Sequence, residues 1–189
     1  MLINHTQKNT IKKEKLLLHT CCAVCASYPY FFLSNNFDTT LFFYNPNIYP
    51  KEEYFRRLEE VKRLSNNFNI KLIIGKYDPS YFDHKVIGLE KEPERGKRCV
   101  ACFKIRLEKT AKVAISKNFQ YFATTLTLSP HKDSSAINKI GKEIGELYKI
   151  NYFESNFKKN DGFKKSNEAS KDLGFYRQKY CGCKYSMNT

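Results

Sequence analysis

Short apolar runs alternate with longer amphipathic stretches along most of the chain, and this alternation constrains the fold more than any other feature. Residues 15–19 read as a buried strand, 39–44 as a second that ends at Asn45-Pro46, and 70–74 as a third. Residues 121–126 read as a fourth and 151–154 as a short fifth. Residues 26–35, 51–67, 102–118 and 134–148 carry apolar residues at helical spacing. In the third of these stretches, Leu107, Ala111, Ala114 and Ile115 share the inner face. Residues 78–96 read as a short helix plus loop, and the tail from Phe157 onward shows no clear periodicity. Strands alternating with helices need crossover connections, so the expectation is an α/β, Rossmann-like domain with a mostly parallel sheet. It would span 15–189 as one catalytic unit after a basic lead-in, 1–14, expected to be disordered. No repeat or linker divides it.

In such sheets the site lies beyond the carboxyl ends of the strands, where the strand order reverses. The most distinctive segments fall there. Thr20-Cys21-Cys22 follows the first strand, Asn45-Pro46-Asn47 the second, and TLSPHKD (127–133) the fourth. The seven cysteines form three groups: Cys21, Cys22 and Cys25; Cys99 and Cys102; Cys181 and Cys183. Clustered cysteines in a reducing compartment point to metal or redox chemistry, because thiolates bind soft metals and four can hold an iron–sulfur cluster or zinc. Adjacent Cys21 and Cys22 at an α/β active-site position favour the cluster; a structural zinc site with incidental thiols is the alternative. Cys99 and Cys102, at a helix start beside Arg95, Lys97 and Arg98, are expected to gain thiolate character. A disulfide across Cys181-Gly182-Cys183 would close a small strained ring, which suits an exchangeable redox pair, although the same two thiols could ligate metal. Cys25 is left as a buried small residue, a spare ligand or an acid source.

A net charge of +14 favours a polyanionic partner, and nucleic acid is the obvious one, although part of the lysine excess matches the Lys-, Asn- and Tyr-rich composition of AT-rich genomes. The FYRQKY segment (175–180) sets Arg177 and Lys179 among aromatics, which suits stacking on unpaired bases with phosphate contacts, or a flap over the metal. His131 lies in a loop with Ser129, Lys132 and Asp133 that suits phosphate binding, proton donation or plain turn formation. His19 reads as a core histidine. The apolar run at 16–18 is too short for a signal peptide or membrane span, so a cytoplasmic protein is expected. No phosphate-loop or dinucleotide fingerprint is present.

Taken together, LLLHTCCAVC, FFYNPNIYPKEEY, EPERGKRCVACFKIRL, TTLTLSPHKD and GFKKSNEASKDLGFYRQKYCGC resemble the QueH-type epoxyqueuosine reductases over about 16–186, with Val24 where that family often has proline. The resemblance implies a nucleotide α-hydrolase-like fold and the last step of queuosine synthesis, acting on the anticodon stem-loop of transfer RNA with an external electron donor. It implies a 4Fe–4S cluster on Cys21, Cys22, Cys99 and Cys102, and a redox-active Cys181–Cys183 pair. The family also accommodates an additional iron, for which Asp133 and Cys25 are candidate ligands. Removing an epoxide oxygen takes two electrons and two protons, and His131, Tyr176 and Asp133 are the candidate proton donors. The competing class is a zinc-stabilised, non-catalytic RNA-binding domain. A sulfur-inserting enzyme on the same fold would need the missing phosphate loop.

Overall fold

A computed structural model describes residues 12–187. At its centre, β1 (Lys15–Thr20) pairs in parallel with β2 (Asp38–Phe43) on one side and β4 (Tyr121–Thr124) on the other. Beyond them, β3 (Leu72–Ile74) pairs with β2 and β5 (Asn151–Tyr152) with β4, also in parallel, giving the order β3-β2-β1-β4-β5. Helices α1 (Ala23–Ser34), α2 (Lys51–Asn67), α3 (Pro79–Lys85), α4 (Lys97–Ser116), α5 (Ser134–Tyr148) and α6 (Gly162–Asp172) complete the chain. Both faces of β1 are covered, which is why Leu16, Leu17 and Leu18 are all fully buried and why the strand reads as a continuous apolar run. This is the expected α/β fold. The chain winds outward from β1 to β3, then returns to β4 and β5, so the strand order reverses between the carboxyl ends of β1 and β4.

Two glycines let α5 sit close on β5. A Cβ at Gly141 would come within 2.3 Å of the Tyr152 ring, and one at Gly145 within 2.8 Å of the Ile150 carbonyl. The elements depart from expectation at their ends. Helix α1 begins at Ala23 and α4 at Lys97, so both cysteine motifs mark helix starts. Strand β4 stops at Thr124 and turns into a short 3-10 segment, Thr125–Leu128. The tail contains α6, which the sequence pattern does not reveal. This helix is tied to α1 through Ser166, whose Oγ donates to the Val24 carbonyl (2.5 Å) and accepts from the Tyr28 amide (3.5 Å), while Ser170 Oγ bonds back to the Ser166 carbonyl within α6 (2.7 Å). The expected disordered lead-in lies mostly outside the described residues.

Candidate active site

The geometry starts from β1. The strand ends at Thr20, Cys21 follows, and Cys22 becomes the N-cap of α1, its Sγ accepting from the Cys25 amide at 3.3 Å. One helical turn returns Cys25 to the same side. The sulfurs of Cys21, Cys22 and Cys25 therefore all lie within 4.8 Å of one another, with Cys21 and Cys22 3.9 Å apart. The turn after β4 closes the other side, with Thr125 Oγ1 3.9 Å from Cys21 Sγ. Sulfur hydrogen bonds from Cys22 and Cys25, helped by the charges of Lys132 and Arg106, hold the Cys21 thiol well below its ordinary value. Cys22, tied to Cys21, is pushed up to about 12, and Cys25 rises for the same reason.

The second group comes from the start of α4. Cys99 Sγ accepts from the Arg95 amide at 3.3 Å. Here the sequence-based expectation is corrected. Burial raises both thiols, Cys102 to about 12, and outweighs the helix terminus. The Arg95 amide and the Arg98 charge do pull Cys99 down, but less than burial pushes it up, and the guanidinium groups themselves bond to carbonyls. Arg98 donates to the carbonyls of Leu89, Glu90 and Glu92, Arg95 Nε to the His131 carbonyl at 2.9 Å, and Lys97 is exposed. Cys181 and Cys183 come close enough to raise Cys99 and Cys102 further.

A buried clamp fixes the tail that carries Cys181 and Cys183. Arg57 of α2, 1% exposed, donates from Nε to Glu53 (2.7 Å), from Nη1 to the Cys181 carbonyl (3.0 Å) and from Nη2 to the Tyr180 carbonyl (3.1 Å). Gly182 lies directly against the guanidinium at φ +130°, a conformation side chains rarely adopt; a Cβ there would sit 3.0 Å from Arg57 Nη1. Gln178 Nε2 then donates to Cys22 Sγ at 3.1 Å, so the tail touches the first thiol group directly.

The remaining candidates separate. A cavity of about 370 Å³ is lined by Arg95, Cys99, His131, Lys132, Asp133 and Cys181, and a second of about 360 Å³ by Cys21, Cys25, His131, Arg177, Lys179 and Cys181. His131, Lys132, Glu94 and Cys181 face both cavities. Asp133 also caps α5, one carboxylate oxygen accepting from the Ser135 and Ala136 amides. Tyr176 lines neither cavity: its hydroxyl donates to Glu53 Oε2 at 3.0 Å, and its ring carries the Arg56 guanidinium at 3.7 Å. It is part of the clamp. His19 is a core histidine, as expected. Nε2 donates to the Tyr44 carbonyl and Nδ1 accepts from Thr124 Oγ1, while burial first and Arg106 second lower its pKa to about 4.

Reading the sequence missed Glu53, Arg57 and Arg106. The available signal was position: Glu53 and Arg57 fall on the same side of α2 as Tyr54, Leu58 and Val61, where charge belongs only if paired.

The family model for epoxyqueuosine reductase QueH matches residues 16–189. The chain belongs to this family. A relative named epoxyqueuosine reductase QueH from Staphylococcus epidermidis is 42% identical over 183 residues, covering 93% of this chain and 77% of the relative. One from Thermotoga maritima is 37% identical over 180 residues, covering 91% and 90%. That the family's members are named as reductases favours an enzyme over a non-catalytic RNA-binding domain. Among solved structures, the U34-tRNA thiolase NcsA from Methanococcus maripaludis, with its [4Fe-4S] cluster, shares the fold at TM-score 0.59 and 13% identity, covering 93% of this chain and 62% of that one. A predicted tRNA methyltransferase subunit from Methanocaldococcus jannaschii shares it at TM-score 0.57 and 12% identity, covering 84% and 74%.

Proposed function

We propose that the chain reduces epoxyqueuosine at the wobble position of transfer RNA to queuosine in the cytoplasm, within a single catalytic domain spanning 15–189. The observation that supports this reading is that, in a chain of this family, Cys181 lines both the cavity that holds Cys99 and the cavity that holds Cys21 and Cys25. The donor set fits an iron–sulfur cluster. The compact triad is all soft sulfur, with no histidine or carboxylate, and lies in a largely buried pocket. Cys21, Cys22, Cys99 and Cys102 would hold a 4Fe–4S cluster, and Cys25 and Asp133 are the candidate ligands of an additional iron. A bound cluster supplies single electrons from an external donor.

The chain's own residues do the rest. Cys181 opens onto both cavities and Cys183 is buried behind it, so the pair can act as a dithiol. Converting the dithiol to a disulfide releases two electrons and two protons. Those are the amounts that turn an epoxide into an alkene and water. His131, exposed and lining both cavities, is the proposed donor of a proton to the epoxide oxygen. Arg177 and Lys179, exposed on the rim of the second cavity, meet phosphates of the anticodon loop, whose bases can be splayed out and stacked. Mass analysis of wobble nucleosides tests the function. Cells lacking the protein should accumulate epoxyqueuosine and lose queuosine, and restoring the gene should reverse both. Unchanged queuosine would refute it.

A further inference from the structure

Arg106 is a buried cation without a buried anion. It projects from α4 and is only 2% exposed. Its one hydrogen bond among the described residues runs from Nε to the carbonyl of Cys102, a turn back in its own helix, at 3.2 Å. Nη2 is buried with no partner among the described residues, and no carboxylate pairs with the guanidinium there. The other two buried arginines are better satisfied, although Arg98 Nε also lacks a partner among the described residues. Arg57 has Glu53 and two carbonyls, and Arg98 has three carbonyls. A guanidinium taken out of water without a counter-ion costs several kcal/mol. A fold retains such a group when an anion arrives later. Among the described residues, the groups whose negative charge would act most strongly on Arg106 are sulfurs: Cys102, Cys181, Cys21 and Cys99.

We propose that Arg106 is the counter-cation of the cysteine centre, with its unpaired Nη2 donating to a sulfur of the loaded site. This rests on the reading of that site as an iron–sulfur centre. Reduction adds negative charge to a cluster. A fixed positive charge and a hydrogen bond to sulfur therefore both favour the reduced form and raise the potential. Arg106 would then be a positioning and tuning residue, not one that touches substrate.

The proposal makes opposite predictions for the empty and the loaded protein. Arg106→Gln and Arg106→Lys are purified without oxygen, and each is studied metal-free by urea unfolding and iron-loaded by redox titration. Metal-free Arg106→Gln should be at least as stable as wild type, because an unpaired charge has been removed. Loaded Arg106→Gln should show at least a tenfold shift toward the oxidised form at fixed potential, which is 59 mV for one electron. Failure of Arg106→Gln to load while its metal-free fold stays intact supports the same role. Arg106→Lys, which keeps the charge and loses the planar fork, should fall between Gln and wild type. A loaded Arg106→Gln with wild-type potential overturns the proposal. So does a metal-free Arg106→Gln that unfolds, since Arg106 would then be a strut. Wild-type protein that takes up no iron fails the metal-centre reading itself, so the two failures are distinguishable.

Discussion

Replacing Arg57 by Met should detach the redox tail and destabilise the fold together. The substitution keeps an apolar stem in the same space but leaves Glu53, 8% exposed, with only the Tyr176 hydroxyl, and strips donors from the Tyr180 and Cys181 carbonyls. Removing one partner of a buried pair typically costs about 3–5 kcal/mol, most of it the penalty on the charge left behind. Against a total stability on the order of 5–15 kcal/mol, that is a large fraction. Urea unfolding of the metal-free protein should therefore show a loss of about 4 kcal/mol for Arg57→Met. Adding Glu53→Gln should recover part of the loss, because the stranded charge is gone. The tail should also open. The Cys181 thiol in Arg57→Met should react faster than wild type with a thiol reagent under native conditions. A loss below about 1 kcal/mol, with Cys181 reactivity unchanged, would refute the clamp.

Changing Cys21, Cys22, Cys99 or Cys102 to Ser should each abolish the cluster, read as iron and sulfide content of anaerobically prepared protein; stoichiometric zinc without sulfide in active protein would contradict this. Changing Cys181 or Cys183 to Ser should leave iron and sulfide intact while turnover falls sharply, and loss of iron along with turnover would assign the pair to metal ligation instead. Affinity for an anticodon stem-loop should fall steeply with salt, and Arg177→Ala or Lys179→Ala should each reduce the slope of log affinity against log salt by about 0.7–0.9. Equal slopes in the variants would place the phosphate contacts elsewhere.

The sheet and the location of the site were legible because β1 and β2 are buried on both faces and announce themselves as apolar runs, and because the cysteine motifs stand at strand ends. Helix α6 was not legible, because two of its buried positions are Ser166, which bonds to α1, and Ser170, whose small polar side chains leave no hydrophobic period. Cys25 could be assigned no place until α1 was seen to begin at Ala23, which turns the third cysteine back onto the first two. The rise in the Cys99 and Cys102 thiols is also a tertiary effect. The arginines that follow Glu94 look like thiolate-stabilising neighbours in one dimension, but fold onto carbonyls in three. Tyr176, a candidate proton donor in the sequence, donates its hydroxyl to Glu53, a residue more than a hundred positions away.

The most direct test of the central claim is a single-turnover reaction of the anaerobically iron-loaded protein, reduced beforehand, with a transfer-RNA anticodon stem-loop bearing epoxyqueuosine. Mass analysis should show the wobble nucleoside losing one oxygen atom to become queuosine, in step with oxidation of the protein. An unchanged nucleoside in the presence of fully loaded, reduced protein would contradict the account.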